Sequence, residues 1–355
     1  MKILEIIPFL DSGGAQVMCA TLSKKLHDKR HEVVVVSLYA GEWFLKNDLI
    51  SYGIKVIELH KKPGIDFSII RALKKIIKSE KPDIIHTHLF ASKYACLSTR
   101  RIPIVHTIHS VASKENTKIG ILINKYFVKR KKMILVSLSN EVQKTVIKVY
   151  KIKKEESPII LNGIELKCCC DTIKKHEGNV IINVGRLSDV KNQIALIKAF
   201  DFVVEKINNC CLWLIGDGEL REDIENCISK SAHKDLITLW GNQDNPSDFL
   251  YKSTLFVLPS KYEGIPISLA EAMAVGLPII ASDVGGIKDM IKDGYNGILI
   301  NPDVDSIANS IIKVLNDKKL YNLLAENAKK TAVSYSANEM CKNYENLFMQ
   351  IVKER

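Results

Sequence analysis

Two carboxylates, Glu263 and Glu271, stand with seven residues between them inside Pro259-Ser260-Lys261-Tyr262-Glu263-Gly264-Ile265-Pro266-Ile267-Ser268-Leu269-Ala270-Glu271-Ala272-Met273-Ala274-Val275-Gly276-Leu277-Pro278. An apolar strand ends at Leu258, so Glu263 falls in a loop. Pro266 is expected to open a helix in its first turn, with Glu271 in the second. Leu269, Ala270, Ala272 and Met273 surround Glu271, and a carboxylate in that setting needs a hydrogen-bonding partner. A second turn, Gly185-Arg186-Leu187-Ser188-Asp189-Val190-Lys191-Asn192, also follows an apolar run. Arg186 and Lys191, five apart around a glycine, suit one diphosphate, the Arg as a planar fork and the Lys as a point charge. The competing reading is two solvated loop cations.

Three glycine turns offer close backbone approach. Gly13-Gly14 opens a helix after the first strand, where exposed amides favour a phosphate or a sugar oxygen. It is not G-x-G-x-x-G, and no acidic residue closes the second strand at Val36-Ser37-Leu38-Tyr39, which disfavours a nicotinamide site. Gly216-Asp217-Gly218 and Gly285-Gly286 are further bare loops beyond strand ends. Asp303-Val304-Asp305 has the D-x-D form of a metal-binding triplet but follows Asn301-Pro302 at a helix start, so Asp303 is expected to be a helix N-cap. No metal-ligand cluster stands near the cationic turn. His86, His88 and His106 lie at apolar strand ends and are expected to be hydrogen-bonded packing residues.

The elements that position these turns alternate between Ile- and Val-rich strands and longer helical patterns, the signature of covered parallel sheets. The spacing predicts strands at Lys2–Pro8, His31–Leu38, Lys55–Glu58, Asp83–His86, Ile104–Ile108 and Met133–Ser137, with helices such as Ala15–Asp28 and Ser68–Ser79. The pattern restarts with strands at Val180–Val184, Cys211–Ile215, Leu236–Leu239, Leu255–Leu258 and Pro278–Ala281, and a helix at Ile194–Lys206. At 355 residues, one core rarely suffices. The expectation is two doubly wound α/β domains in tandem, 1–165 and 166–335, facing a central cleft, with ligands beyond the carboxyl ends of the strands.

Charge is divided unevenly. Residues 1–165 hold 29 Lys and Arg against 15 Asp and Glu, an excess of +14, which leaves −3 for the remainder. A nucleic-acid binder is one reading, but the basic half has no helix-turn-helix, RNP-like aromatic pair or zinc spacing. Anionic lipid or a polyanionic acceptor accounts for the asymmetry equally well. Ile69–Lys78 and Lys125–Lys132 concentrate the charge beside apolar residues, and each is expected to present an amphipathic face. No apolar run reaches bilayer-spanning length, and the first residues lack a signal-peptide pattern, so a cytoplasmic location is expected, peripheral to the inner face of the membrane. Nine cysteines without C-x-x-C spacing, three of them at Cys168, Cys169 and Cys170, argue against a zinc or thioredoxin-type site.

In this order and spacing the turns resemble glycosyltransferase family 4, the retaining glycosyltransferases of the GT-B fold with an E-x7-E motif, of bacterial polysaccharide type. The resemblance runs from Gly13-Gly14 through Asp83–His88, Val105-His106-Thr107-Ile108-His109, Asn162-Gly163-Ile164, Arg186 to Asn192 and the two-carboxylate block to Asp293-Gly294-Tyr295-Asn296-Gly297. It implies a nucleotide-sugar donor, UDP rather than GDP, held mostly by the second domain, and a lipid-linked or saccharide acceptor held by the first. By resemblance, Glu271 receives the ribose hydroxyls and Glu263 lies near the sugar. Arg186 and Lys191 hold the diphosphate, and His109 sits beside the reacting carbon. Gly13, Gly14, Gly216, Gly264 and Ile265 complete the donor set. No cofactor or metal is expected, and the leaving phosphate itself would take the acceptor proton. The last helix, near 336–355, would cross back to the first domain. Gln16 departs from a common Glu, and Lys288-Asp289 from a common Pro-Glu ending. The rival enzyme of the same architecture is a nucleotide-sugar epimerase, against which the two-carboxylate block argues.

Overall fold

Each half of the chain turns its apolar runs into a six-stranded parallel sheet. The computed structural model describes residues 1–11, 13–64, 66–165, 177–243 and 245–354; Cys168, Cys169 and Cys170 lie outside them. The first sheet contains β1 (Lys2–Ile7), β2 (Glu32–Ser37), β3 (Lys55–Glu58), β4 (Ile84–His88), β5 (Ile104–Ile108) and β6 (Met133–Ser137), in the order β3-β2-β1-β4-β5-β6. The second contains β7 (Asn179–Val184), β8 (Cys210–Ile215), β9 (Ile237–Gly241), β10 (Leu255–Leu258), β11 (Ile279–Ser282) and β12 (Ile298–Ile300), in the order β12-β11-β10-β7-β8-β9. The chain divides into two units, Met1–Glu165 with Ser334–Arg355, and Leu166–Val333.

Strand alternation builds both faces of the first sheet. Ile3, Ile7, Val33 and Val35 join one buried cluster, with Met18, Leu22 and Leu26 of the helix Gly14–Asp28 and Met340, Tyr344 and Phe348 of the helix Ala337–Lys353. Leu4, Ile6, Val34 and Val36 join the other, with Leu73, Tyr94, Phe127 and Val146. Covering both faces explains why these strands read as continuous apolar runs. Glu5 shares the first face with Ile3 and Ile7, and it is the residue that breaks the run. In the second unit, Leu196, Phe200 and Val203 pack with Ile307, Ile311 and Val314 around Ile181, Leu212 and Val257.

The helix Ala337–Lys353 joins the first unit through backbone as well as side chains. Ile164 N–H donates to the Tyr335 carbonyl at 2.8 Å, and Ala337 N–H to the Ile164 carbonyl at 2.8 Å. Gly163 permits that seam, because a Cβ there would lie 2.6 Å from the Ala337 Cα.

Several local expectations need correction. β4 runs two residues past His86, to His88. Pro266 is the N-cap of the helix Ile267–Val275 rather than a first-turn residue. Asp303 is the expected N-cap, accepting from Ser306 N–H at 2.8 Å. In the helix Ser68–Glu80, Ile69 and Leu73 are buried, and Ile70, Ile76 and Ile77 pack on the same core, so this stretch keeps its apolar face for the protein. Among the described residues, no helix is long and apolar enough to cross a membrane.

Candidate active site

The order of the second sheet decides which turns become neighbours. β7 lies between β10 and β8, so the direction of strand succession reverses there, and such a switch point opens a crevice at the carboxyl edge. The loop after β7 carries Arg186 and Lys191, and the loop after β10 carries Glu263. Their side chains meet: Lys191 Nζ donates to Glu263 Oε1 at 2.5 Å, and Ser260 Oγ donates to the same oxygen at 2.7 Å. Lys191 is mostly buried and Glu263 is 9% exposed. Two charges removed from water in this way need each other, since either one alone would be costly. Lys191 reaches Glu263 across Gly185, where a Cβ would sit 3.4 Å from the Lys191 Cε.

Backbone hydrogen bonds knit the loops together. Leu187 N–H donates to the Asp217 carbonyl at 3.1 Å, Lys261 N–H to the Val190 carbonyl at 2.8 Å and Gly286 N–H to the Glu263 carbonyl at 3.1 Å. Two glycines are required. Gly216 has φ +131°, and a Cβ there would fall 2.1 Å from the Gly185 carbonyl oxygen; Gly285 has φ +49°, and its Cβ would fall 1.9 Å from that of Glu263. Asn192, at φ 58°, ties the loop to the carbonyls of Pro259 and Pro302 at 3.1 and 2.9 Å.

Arg186 is brought to the same loop but not to the same pair. Its Nε donates to Glu219 at 2.9 Å with both side chains largely exposed, and its carbonyl accepts from Gln193 Nε2 at 3.0 Å. Glu271 lies partly buried within the helix Ile267–Val275, and Gly264 and Ile265 precede that helix. Lys191 and Glu263 are therefore in direct contact, with Arg186 and Glu271 on the flanking elements.

The first unit has its own switch point, between β1 and β4. Gly13 and Gly14 follow β1, and the Gln16 side chain folds back over Gly13, where a Cβ would lie 2.5 Å from its Oε1. His109 follows β5. It belongs to a buried polar system that the sequence did not announce: His109 Nε2 lies 3.0 Å from His88 Nδ1, and His88 Nε2 lies 3.0 Å from Glu5 Oε2. His86 Nδ1 is 2.9 Å from the same Glu5 oxygen. The signal for Glu5 was a lone carboxylate in the run Lys2-Ile3-Leu4-Glu5-Ile6-Ile7. Glu5, His86 and His88 have ligand atoms within 4.8 Å of one another, and hydrogen bonds account for each of them. A cavity of about 550 Å³ opens at the amino ends of β5 and β6, beside Pro103 and Met133, at the sheet edge opposite to His109.

Glu115 makes the neighbourhood of His109 sensitive to pH. Its Oε2 accepts the backbone N–H groups of His109 and Ser110 at 2.6 and 3.0 Å, yet burial pushes its pKa from 4.5 up to about 8. Between those values the unfolded chain releases a proton that the folded chain keeps, so stability falls as pH rises from 4.5 through 8. Glu115→Gln removes this penalty and keeps an oxygen for both N–H groups. The variant should melt a few degrees above the parent at pH 8, with the gap closing toward pH 4.5. Equal melting temperatures at pH 8 would refute the assignment.

The chain matches two family descriptions in succession: glycosyltransferase family 4 over residues 12–167 and glycosyl transferases group 1 over residues 171–331. It is 30% identical over 294 residues to the UDP-Gal:alpha-D-GlcNAc-diphosphoundecaprenol alpha-1,3-galactosyltransferase of Escherichia coli, covering 76% of this chain and 75% of that one. The chain belongs to this glycosyltransferase family. The glycosyltransferase is also 26% identical to the GalNAc-alpha-(1->4)-GalNAc-alpha-(1->3)-diNAcBac-PP-undecaprenol alpha-1,4-N-acetyl-D-galactosaminyltransferase of Campylobacter jejuni, over 99% of both chains. A solved glycosyltransferase from Rickettsia africae superimposes with a TM-score of 0.86 at 19% identity, covering 100% of this chain and 99% of that one. The fold is GT-B, with two Rossmann-like parallel-sheet units.

Proposed function

We propose that this glycosyltransferase transfers a sugar from a uridine-diphosphate sugar to a lipid-linked or polysaccharide acceptor, with retention at the anomeric carbon. The observation that carries the reading is the Lys191–Glu263 pair at the switch point of the second sheet. A cation and a carboxylate 2.5 Å apart, held by glycine-lined loops, suit the two ends of one substrate. Lys191, with Arg186 beside it, offers positive charge to a diphosphate as negative charge develops on it. Glu263 offers acceptors to sugar hydroxyls, and Glu271 to the ribose. The E. coli relative, whose name gives UDP-Gal and a diphosphoundecaprenol-linked sugar, supports both the donor class and the acceptor class. Incubation with UDP-sugars and a polyprenyl-diphosphate sugar, followed by NMR of the product, tests the reading. An α-linked product from an α-linked donor is expected; inversion, or interconversion of UDP-sugars without transfer, would overturn it.

The same assay tests cofactor independence. Arg186, Lys191 and the helix starts meet the phosphate charge here, so turnover should persist in excess EDTA. Activity abolished by the chelator and restored by Mg²⁺ or Mn²⁺ would refute this.

A lipid-linked acceptor makes membrane contact useful. The helix Lys118–Lys129 exposes Ile119, Leu122 and Tyr126, which share one face by spacing, beside Lys118, Lys129 and Arg130. Within Lys125–Lys132, by contrast, Phe127 is buried and Val128 packs on the core. An apolar strip rimmed by cations suits an anionic bilayer surface, each nearby cation contributing about 1 kcal/mol. Salt-sensitive sedimentation with anionic but not neutral vesicles is expected, and it should be lost when Lys129, Arg130, Lys131 and Lys132 become Gln. Equal partitioning to both vesicle types, or none at low salt, would favour a soluble acceptor.

A further inference from the structure

The buried polar residues of the first unit leave little freedom in where their protons lie. Glu5 is fully buried; burial alone would raise its pKa, but His86 and His88 hold it down to about 2, so its carboxylate only accepts. Two nitrogens face it, His86 Nδ1 at 2.9 Å and His88 Nε2 at 3.0 Å, and both must donate. A neutral imidazole that donates from one nitrogen accepts at the other. One branch runs from His86 Nε2 to Thr107 Oγ1 at 2.8 Å and on to the Tyr344 hydroxyl, 2.7 Å from Thr107 Oγ1. The other runs through His88 Nδ1, 3.0 Å from His109 Nε2. With His88 held neutral by burial, its branch points its protons toward Glu5.

We propose that Glu5 and His88 are positioning residues that fix His109 in its Nε2–H tautomer, so that His109 presents its Nδ1 lone pair as an acceptor. The side chain would thereby select a hydroxyl or another donor on the substrate and disfavour a phosphate oxygen, which is itself an acceptor. This deepens the reading of His109 as the residue beside the reacting sugar carbon and rests on it. The groups around His109 that bear on its charge are His86 and His88 on β4, His106 on β5, Glu5 on β1 and Glu115, which holds its backbone N–H. Burial first, then the neighbouring histidines, push His109 well below its ordinary value. The competing arrangement is a protonated His88, which would donate from both nitrogens and force His109 into the Nδ1–H form. Burial holds His88 down to about 4 and opposes it.

The test is long-range nitrogen–proton NMR of the full chain labelled with ¹⁵N-histidine at pH 7, with His109 assigned by its disappearance in His109→Gln. An Nε2-protonated, Nδ1-bare His109 is expected; an Nδ1–H tautomer or an imidazolium overturns the proposal, and this reading needs no variant beyond the assignment. His88→Phe keeps a ring and removes both nitrogens. His109 should then populate both tautomers, and turnover should fall about tenfold, the worth of one neutral hydrogen bond. His88→Asn, which returns an acceptor near the Nδ1 position, should recover part of that loss. An unchanged His109 spectrum in His88→Phe overturns the relay. Full turnover in His109→Gln, with the tautomer as expected, would instead overturn the reading of His109 beside the reacting carbon and leave the relay standing.

Discussion

Replacing Lys191 with alanine is expected to lower turnover by about a hundredfold or more, as when a charge facing developing negative charge is removed. Arg186→Ala should do the same and is the cleaner probe. Its partner Glu219 is 55% exposed, and a surface pair of that kind contributes little to stability. Lys191→Ala, by contrast, leaves Glu263 with Ser260 as its remaining side-chain partner among the described residues, so some loss of stability accompanies the loss of rate. The fold should survive both, because β7 and β10 are fixed by their own buried residues. Steady-state kinetics and UDP titration of the two variants decide the matter. Near-parental turnover with unchanged nucleotide affinity in either one would refute its assignment to the diphosphate.

The two carboxylates should separate in the opposite sense. Glu271→Ala should chiefly weaken UDP binding, because it is assigned to the ribose. Glu263→Ala should chiefly slow transfer, because it is assigned to the sugar, which UDP lacks. Calorimetric titration with UDP measures the difference directly. Equal losses of UDP affinity would refute the division of roles. Glu263→Ala also frees Lys191 from its 2.5 Å partner, so a modest gain in UDP affinity would fit the scheme, the cation then being free for phosphate.

The sequence displayed the sheets because buried parallel strands advertise themselves as apolar runs, as in Val33-Val34-Val35-Val36. β12 was missed for the corresponding reason: Ile298–Ile300 is three residues long and follows a turn. The second-unit turns were legible because a glycine, a cation or a carboxylate after a strand has few structural reasons to be there. The Lys191–Glu263 contact was not, since it spans 72 positions and depends on β10 lying next to β7. Glu5, His86 and His88 were opaque as a group for the same cause. Glu5 meets His86 through the register of β1 on β4, and register is a property of the assembled sheet. The basic stretches misled in part, because charge spacing along a helix does not say which apolar residues the core has already taken.

The helix Ala337–Lys353 has a consequence for the birth of the protein. Tyr344 and Phe348 fill the core of a unit whose strands are all made before residue 138, and the Tyr344–Thr107 hydrogen bond spans 237 positions. A ribosome therefore delivers the first sheet with one face incompletely covered and must translate the whole of the second unit before the missing helix emerges. The contiguous second unit faces no such delay, because its elements arise in one uninterrupted stretch. During synthesis the order of completion should run opposite to the order of the sequence, with the exposed first sheet the stretch most in need of chaperone cover.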